Sequence, residues 1–224
     1  FKPSIITVVP MIANAFYNNI WLNAKKLSKD QKLRKGIKLS NLLRKFGIDI
    51  THKLFKDLYE PFGGKLIEIV CGGAILNPQV VKGLNDLGIH IINGYGITEC
   101  GPLVSMNANT TKAYASIGQV CDSFEYKIDN PNEESIGELC VKGPSVFQGY
   151  YKNKEDTAKV FDKDGFFHTG DLVKEDKQKR LYITGRCKNV IILDNGKNIC
   201  PEEIEHVVEI SQNFLKDIVC YQYN

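Results

Sequence analysis

The apolar run Ile89-His90-Ile91-Ile92 leads into Gly94-Tyr95-Gly96-Ile97-Thr98-Glu99-Cys100-Gly101-Pro102, and this junction restricts the architectures open to the chain. A short apolar run followed by a glycine cluster reads as a buried strand, with the polar groups falling on the loop at its end. Residues 66–71 predict a second strand ending in Gly72-Gly73-Ala74, and Pro78 opens a helix to about residue 87, proline being tolerated in the first turn. Strand, helix, strand in this order predicts an α/β arrangement. In open α/β sheets, ligands bind beyond the carboxyl ends of the strands, where the glycine segment falls. Gly94 and Gly96 allow backbone to approach a ligand closely. Tyr95 offers a flat face, Thr98 a hydroxyl and Glu99 a hard oxygen ligand suited to Mg²⁺. Together these suit a purine, a phosphate and a metal; the plain alternative is a glycine turn with Thr98 as a helix cap.

Three characters follow one another along the chain. Residues 1–112 read as α/β: a strand, a long helical stretch over about 10–35, further helices, then the strand–helix–strand segment. Residues 113–185 show short strands, turns at Asp129–Asn132 and Asp164-Gly165, and one helix near 153–160, which predicts a small β-barrel or sandwich. From 186 onward, residues 190–193 read as a strand, Asn195-Gly196 as a hairpin turn, and Pro201-Glu202-Glu203 as a helix start with acids where the dipole favours them. The chain begins without Met and closes in the apolar run Ile218-Val219-Cys220-Tyr221, which reads as a cut strand, so the expectation is a fragment of a longer protein.

Composition narrows the classes. No apolar run approaches the length of a membrane span, and no leader pattern follows Phe1-Lys2-Pro3. Seven scattered cysteines without a CxxC pair predict reduced thiols and a cytoplasmic setting. None of the four histidines is spaced with cysteines as in a zinc motif, so no structural metal is expected. Residues 25–57 carry eleven Lys or Arg against three Asp, with Leu39, Leu42, Leu43 and Phe46 at helical spacing. A solvated helix face is the simpler account; a patch for anionic membrane lipid, peripheral at the inner face of the membrane, is the functional one. Few aromatics interleave with the charges, which argues against nucleic acid.

Further segments carry candidate chemistry. In His168-Thr169-Gly170-Asp171-Leu172, Asp171 suits a ribose diol; a turn aspartate is the plain alternative. Tyr182-Ile183-Thr184-Gly185-Arg186 ends a strand in a guanidinium suited to an anion or a ribose, or to a surface ion pair. Gly72-Gly73-Ala74 leaves room for a ligand or makes a tight turn, and Asn195-Gly196-Lys197-Asn198 is a hairpin tip.

In order, these pieces, with Gly-Glu-Leu-Cys-Val-Lys-Gly at 137–143 and Gly-Arg-Cys-Lys-Asn-Val-Ile-Ile at 185–192, resemble the adenylate-forming (AMP-dependent) synthetase family across essentially the whole chain. The branch they most resemble is the bacterial long-chain fatty-acid–CoA ligases. The resemblance implies a partial adenylate-forming fold of the α/β class: a parallel-sheet subdomain, a β-barrel-like subdomain and the start of an α+β domain. It implies that Tyr95 stacks on adenine with Ile183 on the other face, that Asn93 reads the adenine amino group, and that Gly72, Gly73 and Ala74 wall the nucleotide from the acyl tunnel. Thr98 matches the phosphate contact, Glu99 the Mg²⁺ ligand, Asp171 and Arg186 the ribose contacts, and Lys188 a hinge. Gly196 and Lys197 match the loop on the coenzyme A side. The implied cofactors are ATP/AMP, Mg²⁺ and coenzyme A, and the implied substrate is a fatty acid, activated as acyl-AMP and then transferred to the thiol.

Two family elements have no match here: a phosphate loop rich in Ser, Thr and Gly, and the late lysine of adenylation. By resemblance they fall before Phe1 and after Asn224, so the chain alone is expected to be inactive in adenylation. Two other functions fit the same residues. One is a synthetase that loads a carrier protein; the other is a truncated, non-catalytic nucleotide-binding module. Acyl length and oligomeric state are not encoded in the motifs.

Overall fold

The computed structural model describes residues 1–107, 113–193, 198–211 and 218–221. The fold is mixed α/β, as the motif order predicts, and the chain divides into two compact units. One comprises Phe1–Gly94 and Asn107–Ala115; the other comprises Tyr95–Met106 and Ser116–Asn224.

In the first unit the order is β1 (Ile5–Val8), α1 (Pro10–Lys26), α2 (Asp30–Arg44), α3 (Thr51–Leu54), α4 (Lys56–Tyr59), β2 (Glu68–Gly72), α5 (Pro78–Asp86) and β3 (His90–Gly96). The three strands pair in parallel, with Val8 opposite Cys71 and Gly72 opposite Gly94. Their alternate residues Ile69, Cys71 and Ile91 join Leu76, Val81, Leu84 and Leu87 in one buried cluster, which is the main source of this unit's stability. Asn77 caps α5 by accepting the Gln79 N–H at 2.8 Å. At the other end, Arg44 of α2 donates to the carbonyls of Asn85 and Asp86 at 2.8 and 3.0 Å, placing a cation where the helix dipole is negative.

The helical stretch expected over about 10–35 is two helices. The N–H of Ser28 bonds to Lys25 O and that of Lys29 to Ala24 O, and Ser28 takes a φ of 53°. This is a Schellman termination with serine in the left-handed position usually held by glycine, so the sequence carries no glycine signal for it. At the end of α5 the same motif has its glycine: Gly88 has a φ of 86°, and Ile89 N bonds to Leu84 O. The apolar residues of α2 and the turn after it divide between two faces. Leu33 and Ile37 pack on the core, while Leu39, Leu42 and Phe46 are exposed.

Strand β3 runs further than the apolar run suggests. Gly94, Tyr95 and Gly96 belong to the strand rather than to a loop; parallel pairing with β2 reaches Gly94, opposite Gly72.

The second unit contains β4 (Leu103–Asn107, of which Leu103–Met106 belongs here), β5 (Gln119–Val120), β6 (Glu125–Asp129), β7 (Ile136–Lys142), α6 (Lys154–Val160), β8 (Phe167–Glu175) and β9 (Leu181–Arg186). The β-rich stretch forms a four-stranded antiparallel meander, β6-β7-β8-β9. Its apolar side, with Leu139, Val141, Phe167, Val173 and Leu181, buries against Tyr95, Val104, Ile117 and Phe124. After β9 come the short antiparallel strands β10 (Ile191–Ile192) and β11 (Asn198–Ile199), then α7 (Pro201–Ser211). The hairpin tip lies outside the described residues. The run at 218–221, expected as a strand, is irregular; the Cys220 N–H goes to the Glu205 carboxylate at 2.7 Å rather than to a ladder.

Across the meander, Lys127 of β6 pairs with Asp162 at 2.6 Å. The Lys127 hydrogen bond, with the Phe166 N–H, lowers the Asp162 pKa from 3.8 to about 2. A depressed carboxylate contributes stability that is fully present above its unfolded value and is lost as pH falls through the folded one. Urea midpoints measured from pH 5 down to pH 2 are expected to drop across the window between those two values, and less steeply in Asp162→Asn. Parallel profiles for the two proteins would refute this assignment.

Candidate functional site

Because β3 alternates about the sheet, Asn93 and Tyr95 point the same way as Ile91, and all three are buried. Gly96 is required by the chain itself. A Cβ there would lie 1.8 Å from the Pro102 carbonyl oxygen, and one at Gly72 would lie 2.9 Å from that of Gly94. Gly73 and Gly170 are different: open space surrounds both, but φ values of 91° and 73° favour glycine.

Within the second unit, Tyr95, Asp171 and Arg186 meet. The Tyr95 hydroxyl donates to Asp171 Oδ2 at 2.7 Å, and Arg186 Nε lies 2.9 Å from Asp171 Oδ1. Asp171 and Arg186 are register partners on β8 and β9, beside an irregularity between Leu172 and Val173 of the kind that re-aims a side chain. The Asp171 side chain is 5% exposed and that of Arg186 62%, so a buried anion sits under a solvent-facing cation. Burial, with the adjacent Asp171 charge, pushes the Tyr95 phenol well above its ordinary value, which keeps it a hydrogen-bond donor. At 7% exposure, Tyr95 presents little free ring face.

A second layer holds this aspartate. Its N–H donates to Thr169 Oγ1 at 3.1 Å, and that hydroxyl donates to Leu139 O at 2.8 Å. The Gly170 N–H donates to Glu138 Oε1 at 2.9 Å, and Glu138 Oε2 lies 2.8 Å from His168 Nδ1. Glu138, His168 and Thr169 lie inside motifs quoted from the sequence, but only the cross-strand geometry gives them positions relative to Asp171.

Thr98 and Glu99 occupy a 3-10 turn, Thr98–Cys100, directly after β3. Thr98 is exposed. Glu99 is tied to the segment around residue 150: its carbonyl accepts the Phe147 N–H at 2.7 Å, and its Oε1 accepts the Tyr150 hydroxyl at 3.3 Å. Tyr150 escaped the sequence reading because nothing in its neighbourhood marks it off from any other aromatic. Ile183 pairs with Val173 at the side of the unit's core, and Lys188 is exposed on the turn Cys187–Asn189. In the first unit, Gly72 ends β2, Gly73 and Ala74 form an exposed bend after it, and Asn93 lies opposite Cys71. Gly196 and Lys197 lie outside the described residues.

The buried carboxylate depends on its hydroxyl donor. Tyr95→Phe is expected to cost about 1–3 kcal/mol of stability, the usual penalty for leaving a buried acceptor short of a partner, seen as a lower urea midpoint. An unchanged midpoint would show the bond to be energetically idle.

The model of the AMP-binding enzyme family matches residues 1–151. Human long-chain-fatty-acid–CoA ligase 1 is 33% identical over 92% of the chain, which covers 31% of that protein; the chain thus spans about a third of the length of the curated relatives it matches. Two solved structures of o-succinylbenzoate coenzyme A synthetase from Bacillus subtilis share its fold. The complex with the acyl-adenylate OSB-AMP superposes with a TM-score of 0.66 at 21% identity, over 93% of this chain and 36% of that one. The complex with ATP and a magnesium ion gives 0.59 at 27% identity, over 64% and 31%.

Proposed function

Because the chain belongs to the AMP-binding enzyme family, we propose that it serves an enzyme that activates a long-chain fatty acid as acyl-AMP and passes the acyl group to coenzyme A. The single observation that carries this is the buried Asp171, held by Tyr95 and Arg186, Tyr95 lying just ahead of the Thr98–Cys100 turn. The acyl class rests on the long-chain relatives, 30% to 33% identical to this chain.

In this reading Asp171 takes the ribose diol. Among the described residues Tyr95 meets Oδ2 and Arg186 meets Oδ1, and a carboxylate oxygen has two lone pairs. Arg186 offsets its charge and offers further donors toward the sugar. Tyr95 fixes the carboxylate and borders the adenine, with Ile183 and Asn93 contributing to base recognition. Gly72, Gly73 and Ala74 form the wall on the acyl side. Thr98 donates to phosphate. Glu99 would hold Mg²⁺ through a hard carboxylate oxygen; among the described residues its side chain has one long hydroxyl contact. When bound, Mg²⁺ neutralises phosphate charge as two anions approach. Lys188 acts as the hinge residue and Gly196-Lys197 as the loop on the thiol side. Because no side chain must act as a covalent nucleophile, the cysteines have no step to perform.

Calorimetry with AMP and a non-hydrolysable fatty acyl-adenylate analogue tests this. The wild-type chain is expected to bind the analogue more tightly than AMP. Asp171→Asn should weaken both at least tenfold, about 1.4 kcal/mol, beyond its effect on the urea midpoint. Equal affinities in the two proteins would make the carboxylate a purely structural tie. The 224-residue chain is expected to form no acyl-adenylate, and a normal rate from it would overturn that. Coenzyme A against acyl carrier protein as acceptor, with the full-length enzyme, separates ligase from carrier-loading synthetase.

Exposed Leu39 and Leu42 of α2 and Phe46 just after it stand among Lys35, Lys38 and Lys45. We read this face as a peripheral contact for an anionic membrane, with apolar side chains inserting among lipids and lysines meeting headgroups. Among the described residues no helix is long and apolar enough to cross a membrane. Co-sedimentation with phosphatidylserine vesicles should fall severalfold in Leu42→Glu with Phe46→Glu; binding unaffected by the pair would reject the contact.

A further inference from the structure

The face of the meander that carries Glu138 and Cys140 of β7 and His168 of β8 holds three metal-ligating side chains that the activity above does not use. Cys140 and His168 are direct cross-strand partners, and Glu138 lies two residues from Cys140. The Cys140 Sγ is 3.4 Å from His168 Nδ1, and the same nitrogen is 2.8 Å from Glu138 Oε2. One donor atom from each of the three lies within 4.8 Å of the others. We propose that Glu138, Cys140 and His168 form a binding site for a thiophilic divalent cation, with Zn²⁺ the best fit.

Geometry supports this first. A tetrahedral Zn²⁺ with Zn–S of about 2.3 Å and Zn–N of about 2.0 Å holds sulfur and nitrogen about 3.5 Å apart. The observed 3.4 Å separation already matches, and the imidazole–carboxylate contact must open by about half an ångström. Donor chemistry supports it second. Thiolate, imidazole and carboxylate select zinc-like ions over Mg²⁺ or Ca²⁺. Charge supports it third. The ion replaces the thiol proton, which leaves to solvent, while the imidazole moves its own proton to Nε2. One thiolate and one carboxylate then neutralise the dication, so no net charge is buried. The neighbouring Lys127 is engaged by Asp162 at 2.6 Å and does not compete for the thiolate. Access supports it last. Cys140 is fully buried and forms the floor, while the His168 and Glu138 side chains are 26% and 22% exposed, leaving the fourth position for water.

The test uses Co²⁺ as a spectroscopic substitute for Zn²⁺. The 224-residue chain would carry Cys121, Cys187, Cys200 and Cys220 as serine, leaving only the buried thiols. The expected result is one Co²⁺ per chain with a near-ultraviolet thiolate-to-cobalt band, displaced by one equivalent of Zn²⁺. Cys140→Ser should abolish the band, and His168→Gln and Glu138→Gln should each weaken Co²⁺ binding at least about tenfold. Absence of the band in the parent, or its survival in Cys140→Ser, overturns the proposal. Should Cys140→Ser fail to fold by circular dichroism, the other two variants decide, since both keep the core thiol; parental affinity in both would overturn it equally.

Discussion

A carboxylate buried to 5% exposure is costly to desolvate unless it is both paired and hydrogen-bonded, and the arrangement of the second unit turns on meeting that requirement at Asp171. The phenol of Tyr95 comes from β3, the guanidinium of Arg186 from β9, and the carboxylate itself from β8. Two neighbouring strands and a third far from them in sequence therefore have to come together for one anion to be satisfied. The Thr169–Gly170 corner and the Glu138 carboxylate extend the same network into β7. The left-handed Gly170 lets the strand turn so that its own N–H and that of Asp171 both find acceptors.

This economy of polar groups relates stability to recognition. The nucleotide site proposed above needs a fixed anion for the sugar and a less encumbered one near the phosphates. Asp171 is the fixed one, locked on both oxygens. Glu99, held by a long hydroxyl contact on a 3-10 turn, is the less constrained one. In the function proposed above, rigid donors and acceptors on strands, with Glu99 on the adjoining turn, would form a preorganised arrangement in which positioning supplies much of the rate. The cysteine, histidine and glutamate of the meander lie one hydrogen bond from this network, through Glu138 and the Gly170 N–H.

Several features were legible in the residues because they depend on local chemistry. Asn77 before Pro78, and Gly88 after Leu87, mark both ends of α5. Alternation along 136–142 marks β7. Other features escaped for equally local reasons. Ser28 ends α1 in a conformation that serine seldom adopts, so the sequence looked continuous there. Spacing did not mark Leu33 and Ile37 as the residues that α2 packs on the core, while Leu39, Leu42 and Phe46 are exposed.

The sequence by itself determined the fold class and the family, because strand, helix and turn signals are short-range and several motifs in a fixed order are hard to match by accident. It also identified Tyr95, Glu99, Asp171 and Arg186 as the residues to watch. Only the tertiary structure decided what those residues do to one another. Tyr95 and Asp171 are 76 positions apart, and Cys140 and His168 are 28 apart. Contacts at such separations are set by strand register, which arises when apolar faces bury together, and no local pattern encodes it.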